Sequence, residues 1–346
     1  MYNSQNLKTF LDKWKKQQEH LKNISKQLKE LKIPTSNLEE KVIFDTKPEF
    51  LELSDLKVAA VDSGFSLIEL ANLDLVIYKV AGVIFNFKNS KLSSYAYVPQ
   101  KTSLDFEYME GLDYLDSQRF CSLARLKAEL KTAIEIATNH KPNILFLDGS
   151  LLPIPADKPT KNSPLWQTYL NLLNDYKKLF EICSANKIFL AGVIKETKSN
   201  KFVKLLQKAS KDLALELENY SDIFVLNHIL EKNQRTAFFD LSSNSENIIL
   251  NDFDSKPNIL FFYIKVSNSF FPLRVELLKI QGFENFPPLF SLLCSTGSKY
   301  SYPSVLIEAD LKARISQTQI NQFLEKDLAM NGKPLSFFSF KFLKPF

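Results

Sequence analysis

Two aspartates stand where short apolar segments end, and each is followed by one serine and one glycine. Asp62 ends the segment VAAVD, and Asp148 ends the segment ILFLD. A carboxylate that projects from a rigid strand beside a small residue can bind a divalent cation, and Mg²⁺ and Mn²⁺ prefer such oxygen ligands. Two apposed carboxylates repel each other unless a proton or a metal ion lies between them. The pair therefore predicts a shared cation site, with a turn-capping role for each aspartate as the open alternative.

A third candidate carboxylate is Glu129, which lies in a predicted helix directly before the Asp148 strand. An apolar stripe that includes Phe120 and Leu123 indicates this helix over residues 116–138. Polar side chains on the outer face of such a helix are solvated. Glu129 is therefore either a further ligand of the cation or a surface glutamate.

The composition is that of a globular protein. Hydrophobic residues make up 45% of the 346 residues and charged residues 24%, with a net charge of +5, which excludes a disordered tail or a collagen-like fibre. This charge permits nucleic-acid binding without requiring it. The sequence contains three histidines and none of the common nucleotide-loop, hydrolase or zinc-protease motifs, so chemistry that needs several histidines is disfavoured.

The chain also lacks the signals of a membrane or secreted protein. It has no run of 18 apolar residues, and the polar N-terminus does not resemble a secretory signal. The three cysteines are far apart and form no metal-binding spacing. We therefore expect reduced thiols, a cytoplasmic location and no membrane partner.

The order of the predicted elements indicates an α/β protein. Residues 4–32 predict a long amphipathic helix in which Leu7, Trp14, Leu21 and Leu28 recur every seven residues. This helix either packs on its own domain or forms a coiled-coil or partner-binding arm. We divide the chain into an N-terminal helical arm (1–34) and a main domain (35–346). A meander of strands comes first, and strands and helices alternate later. The predicted strands lie at 56–64, 73–87, 143–153, 187–199 and three times within 235–280, and further helices lie at 165–186, 201–218 and 303–316.

Several of these segments resemble the NurA nuclease family in their order and spacing. VAAVDSG comes first, then a helix with Arg125 and Glu129, then ILFLDGSL and GVIKETKS. Further similar segments are SDIFVL, an Arg-Thr pair at 235–236, LRVEL and YPSVLIEAD. The resemblance covers residues 55–316, and its specificity comes from the order of the segments, since none of them is specific alone.

The resemblance implies an RNase H-like core, a mixed sheet flanked by helices, in an enzyme that cuts DNA with Mn²⁺ or Mg²⁺. It also implies 5′-to-3′ exonuclease and single-strand endonuclease activity, a homodimer, and work with a hexameric HerA-type translocase at DNA ends. The metal ligands that it implies are Asp62, Glu129 and Asp148. It adds Lys195 and Tyr302 as catalytic residues.

One position departs from the family pattern. Where the family usually has a histidine, in the segment YPSVLIEAD, this chain has Asp310. A carboxylate can replace imidazole as a metal ligand, but it cannot offer a positive charge to a phosphate. We expect a working nuclease with Asp310 in its site, and an altered metal or pH preference.

Phosphodiester hydrolysis by two metal ions fits these residues. Two ions about 3.5–4 Å apart lower the pKa of bound water and stabilise charge on the phosphate. Asp62 would bridge the ions, and no histidine base is needed. Lys195 and Arg274 are candidate phosphate contacts, or else solvated surface charges. The rival hypotheses are a catalytically weak DNA-end adaptor for the translocase, which Asp310 favours, and a nuclease of the same fold that cuts RNA.

Overall fold

The computed structural model describes residues 4–30, 42–48, 53–70, 72–195, 198–209, 216–217, 219–241, 248–296 and 300–325. Its strands are β1 (Ile43–Asp45), β2 (Leu56–Glu69), β3 (Leu73–Lys88), β4 (Lys91–Val98), β5 (Asp105–Glu110), β6 (Ile144–Asp148), β7 (Phe189–Ile194), β8 (Gln234–Thr236), β9 (Phe239–Asp240), β10 (Ile259–Lys265) and β11 (Leu273–Leu278). Its helices are α1 (Ser4–Glu30), α2 (Tyr114–Asn139), α3 (Trp166–Ala185), α4 (Lys201–Ala209), α5 (Asp222–Ile229), α6 (Phe286–Ser295), α7 (Ser304–Ala313) and α8 (Gln317–Phe323).

The strands form one mixed sheet in the order β1-β8-β10-β11-β7-β6-β2-β3-β4, with β5 beside β3 and β9 beside β10. The predicted meander is confirmed, because β2 pairs antiparallel with β3 and β3 pairs antiparallel with β4. The strand β6 then runs parallel to β2, and β7 runs parallel to β6, with α2 and α3 as the crossovers. The predicted α/β fold, an RNase H-like mixed sheet flanked by helices with a long N-terminal helix, is confirmed.

Alternate side chains of the central strands belong to two apolar cores, one on each face of the sheet. Ala59 and Val61 of β2 belong to the core that also contains residues of α2 and α3. Val58 and Ala60 belong to the other core, together with residues of α6 and α7. Successive side chains of a strand point to opposite faces of the sheet, so the even-numbered and odd-numbered residues of β2 lie on opposite faces.

The helix α1 has two different halves. Leu21 and Ile24 are buried in the core that also contains residues of α5, and Gln18 contacts His228 of α5. In the first half, by contrast, apolar side chains of α1 are exposed: Leu7, Phe10, Leu11 and Trp14. The buried half agrees with packing of the helix on its own domain, and the exposed half leaves an apolar surface that a partner could contact. The proposed domain boundary at residue 34 lies outside the described residues.

No helix in the described part of the chain is both long enough and apolar enough to cross a lipid bilayer. The three cysteines, Cys121, Cys183 and Cys294, are free and buried.

Candidate active site

Asp62 lies in the middle of β2 and not at its end, so the predicted end of that strand is wrong. The strand continues to Glu69 because it pairs with β3 along its whole length. Asp62 is 9% exposed, and its Oδ1 accepts a hydrogen bond of 2.7 Å from the backbone N–H of Ser63. The alternation along β2 places this carboxylate on the face covered by α7.

Asp148 is the last residue of β6, as the sequence predicts. Its Oδ1 accepts a hydrogen bond of 2.9 Å from the hydroxyl of Tyr302, and its Oδ2 accepts one of 3.0 Å from Nζ of Lys195. The lysine follows the neighbouring parallel strand β7 directly, and the carboxyl ends of parallel strands meet at one edge of a sheet. Nζ of Lys195 also lies 4.3 Å from the centre of the Tyr302 ring. The structure thus brings these three predicted residues together, and it leaves the lysine side chain half exposed.

Glu129 approaches from the opposite face of the sheet, on α2, and is 6% exposed. Its Oε1 accepts hydrogen bonds from the hydroxyl of Ser63 and, at 2.8 Å, from Nη1 of Arg125 one turn earlier. Burial raises the pKa of this carboxyl group, and the charge of Arg125 opposes that rise. Ser63 therefore lies between the two carboxylates, since its N–H contacts Asp62 and its hydroxyl contacts Glu129.

The helix α7 brings Asp310 towards the same edge. A Cβ atom at Gly64 would lie 2.4 Å from the carbonyl oxygen of Ala313, so only glycine lets the end of this helix lie directly on β2. The charge of Asp310 contributes to the elevated pKa of Asp62. Its own carboxylate pairs with Arg314 at 2.6 Å, and the arginine side chain is two-thirds exposed.

Negative charge is crowded around Asp62. Burial, and then the charges of Asp148 and Glu129, raise its pKa from 3.8 to about 7. Within the described residues no three acidic, histidine or cysteine side chains lie close enough together to form a ready-made metal cage. Nevertheless, the donor set suits a divalent cation: Asp62 and Asp148 share one face, and a cation would relieve the repulsion that otherwise favours a proton on Asp62.

The elevated pKa of Asp62 predicts how the stability of the metal-free protein depends on pH. Asp62 has a pKa of about 7 in the folded protein and of 3.8 in the unfolded chain, so the folded state binds more protons between these values. The free energy of unfolding should therefore lose the contribution of this group as the pH rises from about 4 to about 7, and the full penalty should remain above that window. Denaturant titrations of wild type and Asp62→Asn at several pH values, in EDTA, measure the difference. Parallel curves for the two proteins would contradict this assignment.

The turn after Asp148 is held by a buried glutamate that the sequence analysis did not select. Oε2 of Glu276 accepts hydrogen bonds from the hydroxyl of Ser150, at 2.7 Å, and from the backbone N–H of Leu151, at 2.9 Å. Its Oε1 pairs with Nη2 of Arg274 at 2.5 Å. The signal was present in the segment LRVEL, where two charges, two residues apart, occupy one face of an otherwise apolar strand.

Arg274 is buried, whereas the sequence analysis considered it either a phosphate contact or a solvated surface charge. Its side chain is 4% exposed, and its guanidinium carbon lies 4.8 Å from the centre of the Phe261 ring. Because it pairs with Glu276, it stabilises the acceptor that holds the turn after Asp148. It lines a cavity that Asp148 also lines.

The fold and the site define an α/β protein in which two neighbouring central strands of a mixed sheet present carboxylates on one face, Asp62 from within β2 and Asp148 from the end of β6. A family model described as the NurA domain matches residues 56–315, which is most of the chain. The chain therefore belongs to the NurA family. No curated protein sequence is significantly similar to it.

Solved structures of this family share the fold. The crystal structure of the NurA nuclease from Sulfolobus solfataricus is similar with a TM-score of 0.56 and 19% identity, covering 100% of both chains. A crystal structure of NurA has a TM-score of 0.57 and 12% identity, covering 94% of this chain and 97% of the other. A crystal structure of NurA bound to dAMP and manganese has a TM-score of 0.57 and 10% identity, covering 96% of this chain and 98% of the other.

Proposed function

We propose that this protein is a metal-dependent DNA nuclease that hydrolyses phosphodiester bonds with Mn²⁺ or Mg²⁺. The observation that carries the proposal is the pair of buried Asp62 and partly buried Asp148, whose repulsion favours a bound cation, beside the half-exposed cation of Lys195. Membership of the NurA family and the crystal structure of a NurA with dAMP and manganese support it.

Each residue has a proposed task. Asp62, Glu129 and Asp148 are the proposed metal ligands, and the Glu129 carboxylate, which contacts the Ser63 hydroxyl, adds negative charge close to Asp62. When bound, divalent ions lower the pKa of water and stabilise charge on a phosphate oxygen. Tyr302 orients the carboxylate of Asp148 by its hydrogen bond. Lys195 is exposed enough to contact a phosphate of the strand, and this contact positions the substrate without reading its sequence.

We propose 5′-to-3′ exonuclease and single-strand endonuclease activity, in the processing of DNA ends together with a HerA-type translocase, in the cytoplasm. Family membership supports this assignment. We also propose a homodimer, for which the exposed apolar side chains on the first half of α1 provide a suitable contact surface.

A specific observation favours the alternative of a catalytically weak DNA-end adaptor. The position of the usual family histidine is occupied by Asp310, whose charge is matched by Arg314. This pair puts an acidic group near Asp62, where the histidine would offer a neutral or positive one. The exposed guanidinium of Arg314 restores a positive charge one turn further along, which is compatible with a working nuclease.

The test is cleavage of single-stranded DNA labelled at the 5′ or the 3′ end, with Mn²⁺, with Mg²⁺ or with EDTA. We expect cleavage with either metal and none in EDTA, and the label that yields short products first gives the polarity. An RNA of the same sequence tests sugar selectivity. If folded wild type cuts neither nucleic acid with either metal, alone or with the translocase, the nuclease proposal is wrong and the adaptor is favoured.

A further inference from the structure

A cavity of about 710 Å³ opens beside the carboxylates and has one basic end. It lies between α2, the turn after β6, the strand β11 and the first turn of α4. Arg125, Glu129 and Asp148 lie near one another in its lining, and Lys201 lies near Arg274 and Glu276. Together with Lys198, this second group carries the excess of positive charge. The volume falls in the range of pockets that hold small ligands, and the basic end favours an anion.

The buried arginine leaves one hydrogen-bond donor unused. The Nη2 atom of Arg274 pairs with Glu276, but its Nε–H has no hydrogen-bond partner among the residues that the structure describes. Nearly all buried polar groups in proteins have partners, and an unpartnered one is costly. An acceptor oxygen that enters the cavity would satisfy this donor.

Lys201 provides a second, partly buried cation close to Arg274. Burial and then the nearby charge of Arg274 lower the pKa of this lysine to about 8, and the charges of Glu276 and Asp222 oppose the change. Two cations near each other in a poorly solvated place are stabilised by an anion that contacts both. Lys198 adds a third cation at the exposed rim.

The backbone of α4 does not supply the anion site. The N–H of Val203 at the start of this helix already donates to Oδ1 of Asp222 at 3.0 Å. The side chains of Arg274, Lys201 and Lys198 are therefore the groups that would hold the anion. Apolar side chains of Leu152 and Ile154 line another part of the cavity and offer a surface to a sugar or a base.

We propose that this cavity is a phosphate subsite that binds a nucleotide of the DNA strand away from the bond that is cut. The proposal rests on the proposed nuclease function, since it assigns the cavity to the same substrate. Its phosphate contacts Arg274 and Lys201, and its sugar and base lie against the apolar part. The acidic end repels the phosphate, so the nucleotide binds at the basic end without needing a metal ion.

The test measures binding of thymidine 5′-monophosphate and of thymidine to the full chain by calorimetry in EDTA, so that the metal site contributes nothing. We expect the monophosphate to bind and inorganic phosphate to compete with it. Lys201→Gln should weaken binding about ten- to hundred-fold, because it removes one charge-assisted hydrogen bond. Lys178→Gln, at an exposed lysine of α3, is the matched control and should bind as wild type does. Lys198→Gln, at an exposed residue, should also weaken binding and replaces Lys201→Gln if that variant does not fold.

Three results would overturn the subsite: equal binding by the lysine variants and wild type, equal binding of thymidine and its monophosphate, or binding that requires Mn²⁺. Cleavage assays on the same proteins separate this inference from the proposed function. Cleavage by wild type with unchanged binding in Lys201→Gln would refute the subsite alone. Lysine-dependent binding without any cleavage would refute the nuclease and leave a nucleotide-binding cavity.

Discussion

Asp62→Asn should reduce DNA cleavage by about a thousand-fold or more without destabilising the protein. The substitution keeps the size of the side chain and an acceptor for the N–H of Ser63, but it removes the charge that would hold the metal. Metal stabilisation of the transition state is worth several kcal/mol, and each 1.4 kcal/mol is a factor of about ten in rate. Initial cleavage rates with saturating Mn²⁺, together with the midpoint of thermal unfolding, measure both parts of this expectation.

Asp74→Asn is the matched control. Asp74 is also a buried aspartate, on the neighbouring strand β3, and accepts one hydrogen bond of 2.5 Å from the hydroxyl of Ser117. It has no part in the candidate site, so its variant should cleave DNA as fast as wild type does, allowing for any loss of folded protein. Equal cleavage by Asp62→Asn and wild type would remove Asp62 from the active site.

Gly192→Ala should lower the free energy of unfolding by about 1–3 kcal/mol and cleavage by about a hundred-fold. A Cβ atom at this position of β7 would lie 2.5 Å from the carbonyl oxygen of Gly149 and 3.0 Å from the backbone nitrogen of Leu151. Both atoms are backbone atoms of the turn after Asp148, so the turn itself must shift. Because Glu276, which pairs with Gly192 across β11 and β7, also holds this turn, the shift would move the Asp148 carboxylate away from Tyr302 and Lys195.

Leu260→Ala separates the shift of the turn from a general loss of stability. This leucine of β10 is 1% exposed and belongs to the core beneath α6 and α7, so its truncation should cost about 2–5 kcal/mol. At a temperature where both variants are folded, we expect Leu260→Ala to cleave normally and Gly192→Ala to be slow. If both variants lose cleavage in proportion to stability, the turn has no special role.

The sequence predicted the central part of the fold because its signals are local. A short apolar run predicted β2, a run rich in β-branched and aromatic residues predicted β3, and an apolar stripe of period 3.6 predicted α2. The end of β2 was misjudged, because Asp62 and Gly64 read as the start of a turn. Pairing with β3 over the whole strand overrides that local preference, and the glycine serves the packing of α7 instead.

The sequence predicted candidate site residues, several of which the structure brings together, but it did not predict their arrangement. Asp148, Lys195 and Tyr302 meet as expected, although the tyrosine comes from far along the chain. That Glu129 lies on the other face of the sheet from Asp62 follows from the crossover of α2, which a sequence pattern does not contain. The task of Glu276 was also hidden, because its hydrogen bonds join a turn more than one hundred residues away.

The contact between Tyr302 and Asp148 and the packing of α7 on Gly64 have a consequence for synthesis of the protein. The strands β2 to β7 can emerge from the ribosome and pair before the tyrosine and α7 have been translated. Such a nascent chain has part of the sheet and both aspartates, but Asp148 lacks the hydroxyl that orients it, and the face of β2 at Gly64 is uncovered. Activity should therefore appear only after residues 302–313 have left the ribosome and packed on these strands.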